Sequence, residues 1–539
     1  MMRLVIKDYL LLLKEKDELD LLLCDLLLQM GYVTDNRPET GNRQYGVDIH
    51  AHNSKEVLLC VVKQGNIDRK NWDSGPNAVR QSINEIKDTY IGLINGVERI
   101  KKLRIAVITN GLMDEALRPN WKGFVGQNTD WNGIAVEIEF WNIDKLVKDV
   151  ENYLLDEHLF SGEMRRSLRQ ALYFIGESNY HNEHFERIID SYIAQLNNAD
   201  TGKEQKKKLA GLYLATQMIA QYAAKEKIYK VAIMVSEYLI IRYWKYLLSR
   251  NGFEKAQNID WLLKFLKSYN KWNQEYYEAV RYCCEEPNRL PLYNSVEERV
   301  ILYDLLGHLT TYAYYLSFLG DYDTVSNERC NQVHNSIINL INNYPEVFYP
   351  PYDRHVGTIS MLFRFLDRRG REEDIYELLH RECMYSMGLY LKYQKYPTSA
   401  DSFEDAMNVE MSLQAEDYVT SAFWGVMLEW IVLMGQSDLY QQLQFFLEED
   451  LKEVTKCSWF LRSDEEILFY DPYVMTKAGE GIAFDAEKTF EQLTKRIGFV
   501  MGQYNNEVFS FEKYGCKALE FIVSRYYGYL VKVQREKIP

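Results

Sequence analysis

The hydrophobic pattern of the chain changes near residue 155, and this change limits the folds that the chain can adopt more than any other feature. Before that point, short apolar runs alternate with helix-like segments; after about residue 160, apolar residues recur at intervals of three and four. The first pattern is typical of a sheet whose strands are separated by helices, and the second of packed α-helices. We therefore predict an α/β domain in residues 1–155 and an all-α region in residues 156–539.

The strand-like segments of the first region are short and rich in apolar residues. They are Tyr45–His50, Val57–Val62, Leu103–Thr109 and Ile134–Trp141. Val57–Val62 is an unbroken apolar run, which is typical of a strand buried on both faces. Helix-like segments at residues 17–30 and 76–93 surround the first two strands, so the order of elements predicts a mixed α/β domain.

The second region contains helix-like segments of roughly 12–20 residues with short breaks between them, as in helical-repeat or bundle proteins. The chain is too long for one hydrophobic core, and a proline-rich break at residues 345–355 marks a further candidate boundary in this region. The helix-like segments follow no convincing fixed period, so no named repeat family is indicated. Residues 457–485 are the least helix-like part of the region, and the sequence assigns them no role.

The charge balance excludes nucleic-acid binding through bulk electrostatics. The net charge is −15, from 63 basic and 78 acidic residues. Residues 1–155 carry 20 basic and 23 acidic side chains, and residues 156–539 carry 43 and 55. Binding to nucleic acid would therefore need a local basic patch. The acidic helical region favours a protein partner or self-association.

Three further features predict a cytoplasmic protein that does not bind membranes. The eight cysteines contain no C-x-x-C pair and lie mostly among apolar residues, as reduced core thiols do. No apolar run reaches the roughly 18–20 residues of a membrane span. Charged residues interrupt the start of the chain, which is unlike the layout of a signal peptide.

Asp48 and Lys63 are the residues that most directly predict chemistry. A hairpin centred near residue 55 would place Asp48 directly opposite Lys63, with both side chains on the same face. Lys63 also follows the apolar run Val57–Val62, where a charge is costly without a partner or a task. Two interpretations remain open. One is a structural ion pair, and the other is a carboxylate that holds Mg²⁺ beside a lysine that assists phosphodiester hydrolysis.

The order of motifs resembles that of the PD-(D/E)XK nuclease superfamily, and within it the Mrr-like restriction endonucleases. The matching segments, in chain order, are Leu19-Asp20, Gly46–Ile49, Lys63, Ile108–Gly111 and Val136–Trp141. They span residues 17–150. The resemblance implies a restriction-endonuclease-like α/β fold with Asp20 and Asp48 as metal ligands, Lys63 as the catalytic lysine, and Gln81 as a phosphate or base contact. It also implies Mg²⁺ or Mn²⁺ as cofactor and DNA as substrate.

Val61 departs from the family pattern. The family carries Glu, Asp or Gln two residues before the lysine, and a valine cannot coordinate Mg²⁺. The same hairpin pairing would place His50 opposite Val61, where its imidazole could serve as a substitute ligand and favour Mn²⁺. Glu18 and Gln64 are further candidates for the missing ligand. A nuclease core that has lost its activity is the alternative.

A small basic and aromatic cluster follows the lysine. Arg69 and Lys70 lie beside Trp72, an arrangement that can hold a phosphate and stack a base. Exposed loop residues next to one packed tryptophan are the structural alternative.

The sequence therefore predicts a metal-dependent endonuclease that cleaves DNA, acting as a restriction or phage-defence effector controlled by its helical region. The alternative is an inactive nuclease-fold protein that acts as a scaffold for protein or nucleic-acid binding.

Overall fold

The computed structural model describes most of the chain. The described residues are 2–34, 45–54, 56–74, 78–93, 102–154, 162–176, 182–199, 201–287, 289–290, 295–393, 403–410, 420–471, 480–484, 487–502 and 508–528. They form two compact units, Met1–Val235 and Ser236–Pro539, here called unit 1 and unit 2. The predicted boundary at residue 155 lies where strands give way to helices, while unit 1 continues to Val235.

Unit 1 combines one sheet with helices before, between and after its strands. In chain order its elements are α1 Met2–Leu12, α2 Asp20–Gln29, β1 Val33–Thr34, β2 Ile49–His52, β3 Val57–Lys63, α3 Arg69–Asp73, α4 Val79–Asp88, β4 Lys102–Thr109, α5 Arg118–Gln127, β5 Asp130–Trp131, β6 Ile134–Trp141, α6 Ile143–Asp149, α7 Gly162–Tyr173, α8 Glu183–Asn197 and α9 Gly202–Lys225. A π-helical turn, Glu15–Leu19, joins α1 to α2.

The sheet of unit 1 is mixed, with the strand order β1-β2-β3-β4-β6-β5. The three central strands β3, β4 and β6 run parallel, and the outer strands pair antiparallel. The carboxyl ends of β3 and β4 therefore meet at one edge, where Lys63 pairs with Thr109. In open α/β sheets, ligands bind at this edge.

Strand β3 is buried on both faces, as its unbroken apolar sequence predicts. Leu59 and Val61 belong to a core that includes residues of α3, α4 and α5. Leu58, Cys60 and Val62, which alternate with them, are also buried. Lys63 is the first residue of the strand to carry a charge, and it lies where the strand leaves the core.

The β2–β3 hairpin is tighter than the sequence predicts. Asn53 N donates to Glu56 O at 3.1 Å, and the Asn53 side chain accepts from Glu56 N at 3.1 Å. The last strand pair is consequently His52 with Val57. The hairpin is centred between residues 54 and 55, so every pairing is shifted by two residues from the prediction.

Gly46 allows the chain to approach α4 closely just before β2. It adopts φ +82°, in the left-handed region that favours glycine. A Cβ atom at this position would lie 2.2 Å from the carbonyl oxygen of Ser82. Glycine is therefore required to bring the start of β2 against this helix.

Arg104 on β4 is the centre of a half-buried ionic network. Its guanidinium lies 2.7 Å from Glu56 and 2.6 Å from Glu139. Tyr32 donates to Glu56 at 2.5 Å, and Trp141 Nε1 donates to Glu139 at 2.7 Å. The network joins residues of β4 and β6 to residues that flank β1 and β3.

The network lowers the pKa of both carboxyl groups. Burial alone would raise the pKa of Glu56, but hydrogen bonds from Tyr32 and Arg104 and the charge of Arg104 outweigh it. Burial would also raise the pKa of Glu139, but hydrogen bonds from Trp141 and Arg104 lower it by more. Burial and the bond to Glu56 raise the pKa of Tyr32 to about 12.

Unit 2 is largely helical, with a small sheet. From the unit boundary onward the elements are α10 Tyr229–Ser249, α11 Ala256–Glu285, α12 Ser295–Leu319, α13 Thr324–Asn343, α14 Val356–Arg368, α15 Glu372–Tyr393, α16 Phe403–Glu410, β7 Thr420–Ser421, α17 Ala422–Leu433, α18 Ser437–Phe445, β8 Thr455–Phe460, α19 Glu466–Phe469, β9 Glu480–Phe484, α20 Phe490–Gly502, α21 Ser510–Lys513 and α22 Ala518–Tyr527. Helix α10 begins in unit 1 and crosses the boundary. Helix α12 packs against α13, α14 and α22.

The division into an α/β part and a largely helical part is confirmed, but the prediction of an all-α region is wrong in one respect. Strands β7, β8 and β9 form a three-stranded sheet in that order. Strands β8 and β9 lie within residues 457–485 or next to them, the segment that is least helix-like in sequence. Among the described helices, none has the length and apolar character needed to cross a membrane.

Arg104→Met tests the ionic network of unit 1. The substitution leaves two half-buried carboxylates without their cation, and we expect it to destabilise unit 1 by about 1–3 kcal/mol at neutral pH. Both folded-state carboxyl pKa values lie below the ordinary 4.5. The stabilisation is therefore complete above that pH and is lost as the pH falls through the lowered values.

Thermal unfolding of the full chain between about pH 3.5 and 7 measures this effect, because the variant should approach the wild type as the pH falls. Lys102→Met is the matched control on the same strand. The pair that Lys102 forms with Glu137 is about half exposed, and its loss should change little. An equal effect of both substitutions at neutral pH would contradict the assigned importance of Arg104.

Candidate functional site

Lys63 and Glu15 form an ion pair at the carboxyl end of β3. Lys63 Nζ lies 3.7 Å from Glu15 Oε1, and the two side chains are 15% and 31% exposed. The backbone N–H of Gln64 donates to Glu15 Oε2 at 3.3 Å. Glu15 comes from the π-helical turn between α1 and α2, so this turn brings a carboxylate to the end of the buried strand.

Asp48 lies beside the same strand, immediately before β2. Its backbone N–H donates to Cys60 O at 2.9 Å, and its carboxylate accepts from the backbone N–H of Val62 at 2.7 Å. A carboxylate that accepts a backbone N–H of the neighbouring strand is held in one orientation. Asp48 is therefore fixed next to the last residues of β3.

Burial and the neighbouring charges act in opposite directions on the pKa of Asp48. Burial raises the pKa above its ordinary value, and the charge of Lys63 and the hydrogen bond from Val62 oppose this rise. Smaller influences come from Glu15, which raises the pKa, and from Lys16, which lowers it. Asp48 is bonded to Val62, and Glu15 contacts the next two residues of the chain, Lys63 and Gln64; Asp48, Lys63 and Glu15 are here called the β3-edge cluster.

The observed register corrects the predicted partners of Asp48 and His50. Asp48 does not lie directly opposite Lys63, because the hairpin is shifted by two residues. His50 lies opposite Leu59 and not Val61, and its Nδ1 is 3.0 Å from the hydroxyl of Tyr90. The predicted pairing of His50 with Val61 is therefore wrong, and a role of His50 as a metal ligand stays a prediction.

Glu15 is not among the metal ligands that the sequence predicts, which are Asp20, Asp48 and His50. Asp20 is only 6% exposed, and its Oδ1 accepts from the backbone N–H of Leu21 at 2.7 Å. The carboxylate that pairs with Lys63 is Glu15, five residues earlier. The run of charged residues at 14–18, between two leucine-rich helices, is the sequence signal that could have identified it.

Val61 is fully buried in the hydrophobic core and adds no ligand to the cluster. Throughout the part of the chain that the structure describes, no group of three or more His, Cys, Asp and Glu side chains is placed to hold a metal ion. Asp48 and Glu15 supply two carboxylates. Mg²⁺ is commonly held by one or two carboxylates together with waters and substrate phosphates, so two carboxylates alone would leave most of its coordination to water and substrate.

The predicted nucleic-acid contacts divide into exposed and buried residues. Arg69, Lys70 and Gln81 are exposed. Trp72 is 2% exposed, and its ring packs edge-on against Trp121 and Phe124, with centroids 5.6 and 5.3 Å away. The prediction that Trp72 stacks a base is therefore wrong, because the ring is part of the core.

Comparison with known proteins assigns no family to the chain. No family model matches it, and no curated protein and no solved structure was found to be similar to it. The resemblance to PD-(D/E)XK nucleases therefore rests on the residues themselves.

Asp48→Asn tests whether the charge at this position opposes folding. Because burial raises the pKa of Asp48, ionisation costs stability as the pH rises through the folded-state value. The amide keeps an acceptor for the Val62 N–H but carries no charge. We expect the variant to unfold at a higher temperature than the wild type at pH 7, with an advantage that shrinks as the pH is lowered.

Asp144→Asn serves as the control for thermal unfolding across this pH range. Asp144 pairs with Lys7 at 2.8 Å and has a side chain that is 62% exposed. This substitution should not raise the unfolding temperature at pH 7. If Asp48→Asn were destabilising at pH 7, Asp48 would be a structural ion-pair residue.

Proposed function

We propose that the chain is a metal-dependent endonuclease of the PD-(D/E)XK type that cleaves DNA. The observation that carries this proposal is the β3-edge cluster, in which Glu15, Asp48 and Lys63 meet at the carboxyl end of a buried parallel strand. Two carboxylates and one lysine are the side chains that phosphodiester hydrolysis needs. The mixed sheet, with a hairpin leading into parallel strands, is compatible with the restriction-endonuclease-like fold that the motif order implies.

The residues of the cluster divide the chemistry among them. Glu15 and Asp48 would hold Mg²⁺ or Mn²⁺ through carboxylate oxygens, and when bound the ion supplies a polarised phosphate and an activated water. Lys63 donates to the attacking water or to a phosphate oxygen and offsets the negative charge that develops there. Val61 leaves the site one carboxylate short, so the substrate phosphate must complete the coordination of the ion.

The partly buried position of Asp48 sets the expected pH dependence. Its raised pKa means that the carboxylate becomes available as a ligand at a higher pH than an ordinary aspartate. Metal binding requires the deprotonated form. Activity should therefore rise with pH through the titration of Asp48.

DNA binding would use a local patch, because unit 1 as a whole is not basic. Arg69 and Lys70 begin α3, six and seven residues after Lys63, and both are exposed. Gln81 is exposed on the following helix α4. Phosphate contacts of this kind position a duplex without reading its sequence.

Unit 2 is proposed to control the nuclease by binding a protein partner or by self-association. Its acidic balance favours a protein partner over nucleic acid. We propose that a nuclease controlled in this way acts in the cytoplasm as a restriction or phage-defence effector.

A non-catalytic scaffold is the second candidate function, and Val61 is the observation that favours it. The side chain is buried among core residues, so the position that carries an acidic or amide ligand in the family has become part of the packing. In that case the Glu15–Lys63 pair has a structural role, and the nuclease fold serves for binding alone.

Cleavage of supercoiled plasmid DNA with Mg²⁺ or Mn²⁺ tests the catalytic proposal. We expect Glu15→Gln, Asp48→Asn and Lys63→Ala each to lower the cleavage rate by about 100-fold or more, because the first two remove a metal ligand and the third removes the charge that acts on the phosphate. Asp144→Asn, which neutralises an exposed carboxylate paired with Lys7, is the comparison variant, and it should retain activity. A wild-type protein that cleaves with neither ion, or cleavage that Glu15→Gln leaves intact, would favour the scaffold function.

The salt dependence of DNA binding tests the basic patch. In the Asp48→Asn background, which should bind without cutting, Arg69→Ala and Lys70→Ala should each reduce the slope of log affinity against log salt by about 1. Lys102→Ala removes the same charge from the amino end of β4 and should leave the slope unchanged. Equal effects of all three variants would show that the patch makes no specific phosphate contact.

A further inference from the structure

Asn110, at the end of β4, connects two separate segments of unit 1 through its side chain. The residue is 1% exposed. Its Oδ1 accepts from the backbone N–H of Gly65 at 2.7 Å. Its Nδ2 donates to the carbonyl oxygens of Leu10 and Leu13 at 2.8 and 2.9 Å. Both N–H groups of the amide and its oxygen are therefore used.

These two segments are the ones that supply the β3-edge cluster. Leu13 lies two residues before Glu15, and Gly65 lies two residues after Lys63. A side chain that holds the end of α1 and the turn after β3 together limits the distance between the two charged groups. Asn110 itself is covered by protein and has no access to substrate.

The neighbours of Asn110 hold the same turn from a second direction. Thr109 Oγ1 donates to the carbonyl oxygen of Gly65 and accepts from the backbone N–H of Gly111 at 3.1 Å. A Cβ atom on Gly111 would lie 2.3 Å from the carbonyl carbon of Gly65. The turn after β3 is therefore packed directly against the end of β4, while the link to α1 runs through the Asn110 side chain.

We propose that Asn110 is a positioning residue, which acts through Glu15 to set the geometry of the β3-edge cluster. It holds the carbonyl groups at the end of α1, and thereby places the Glu15 carboxylate against the Gln64 N–H and Lys63. The catalytic consequence of this role rests on the proposed nuclease function, whereas its structural consequence does not.

Hydrogen exchange at the Gln64 amide measures the positioning directly. This amide donates to Glu15 Oε2 at 3.3 Å and is not bonded to Asn110. In Asn110→Ala we expect it to exchange about fivefold faster or more, the factor that corresponds to the loss of one hydrogen bond. A purely local role for Asn110 would accelerate exchange only at Gly65.

Asn110→Asp separates the two halves of the link. A carboxylate retains an acceptor for the Gly65 N–H, but it has no donor for the carbonyl oxygens of Leu10 and Leu13. We expect the Gly65 amide to remain protected in this variant while the Gln64 amide loses protection. Protection of Gln64 at the wild-type level in both variants would overturn the proposal.

Asn128→Ala is the matched control. Asn128 is also buried, at 8% exposed, and its side chain donates to Phe124 O at 2.9 Å and accepts from Trp131 Nε1 at 3.1 Å. Its removal should leave exchange at Gln64 unchanged. Faster exchange throughout the sheet in the Asn110 variants would mean that Asn110 stabilises the fold as a whole, which would also overturn the proposal.

Cleavage kinetics add the catalytic readout and keep the two proposals distinguishable. If both are right, Asn110→Ala and Asn110→Asp lower kcat for plasmid cleavage at least about tenfold with KM nearly unchanged, and Asn128→Ala cleaves as the wild type does. If the wild type does not cleave but the exchange results hold, only the nuclease function fails. Unchanged kcat in both Asn110 variants, with an active wild type, would overturn the positioning role.

Discussion

Burial of β3 on both faces determines where unit 1 can place charge. Strand β3 contains six consecutive apolar residues, Val57–Val62, of which the last five are buried, and an uncompensated charge among them would be costly. Charged groups therefore gather where the strand leaves the core. At its carboxyl end the chain places Lys63, and two other segments bring Glu15 and Asp48 to the same edge. The cluster is a consequence of the buried strand as much as of the individual residues.

Local patterns predict the elements of this fold well. The unbroken apolar run of β3 and the strands β4 and β6 appear where the hydrophobic pattern places them, because a strand between two layers needs apolar residues on both faces. The β8–β9 sheet of unit 2 is different, since Thr455–Phe460 pairs with a segment about 25 residues later and with β7 about 35 residues earlier. Pairing between such distant segments leaves no periodic signal in the sequence. The departure of residues 457–485 from a helical pattern is the one sequence feature that indicates the sheet.

The candidate site is predictable in outline, and its details depend on contacts that a sequence does not show. Asp48 and Lys63 were identified from their positions beside the buried strand. The sequence predicts the wrong cross-strand pairing for Asp48, because the Asn53 side chain closes the hairpin earlier than the polar residues around it suggest. Glu15 was missed because a π-helical turn, and not a regular helix, connects α1 to α2. Trp72 looked accessible beside two basic residues, but the packing of Trp121 and Phe124 decides its burial.

The proposed nuclease function depends on whether the β3-edge cluster holds a divalent ion together with a phosphate. Anomalous diffraction from crystals of the Lys63→Ala variant grown with Mn²⁺ and a DNA duplex measures this directly, because Mn²⁺ scatters anomalously and cleavage is expected to be slow. The proposal predicts one Mn²⁺ peak in contact with the carboxylates of Glu15 and Asp48 and with a DNA phosphate. A DNA-bound structure in which these carboxylates hold no ion, or in which the DNA lies elsewhere, would contradict it.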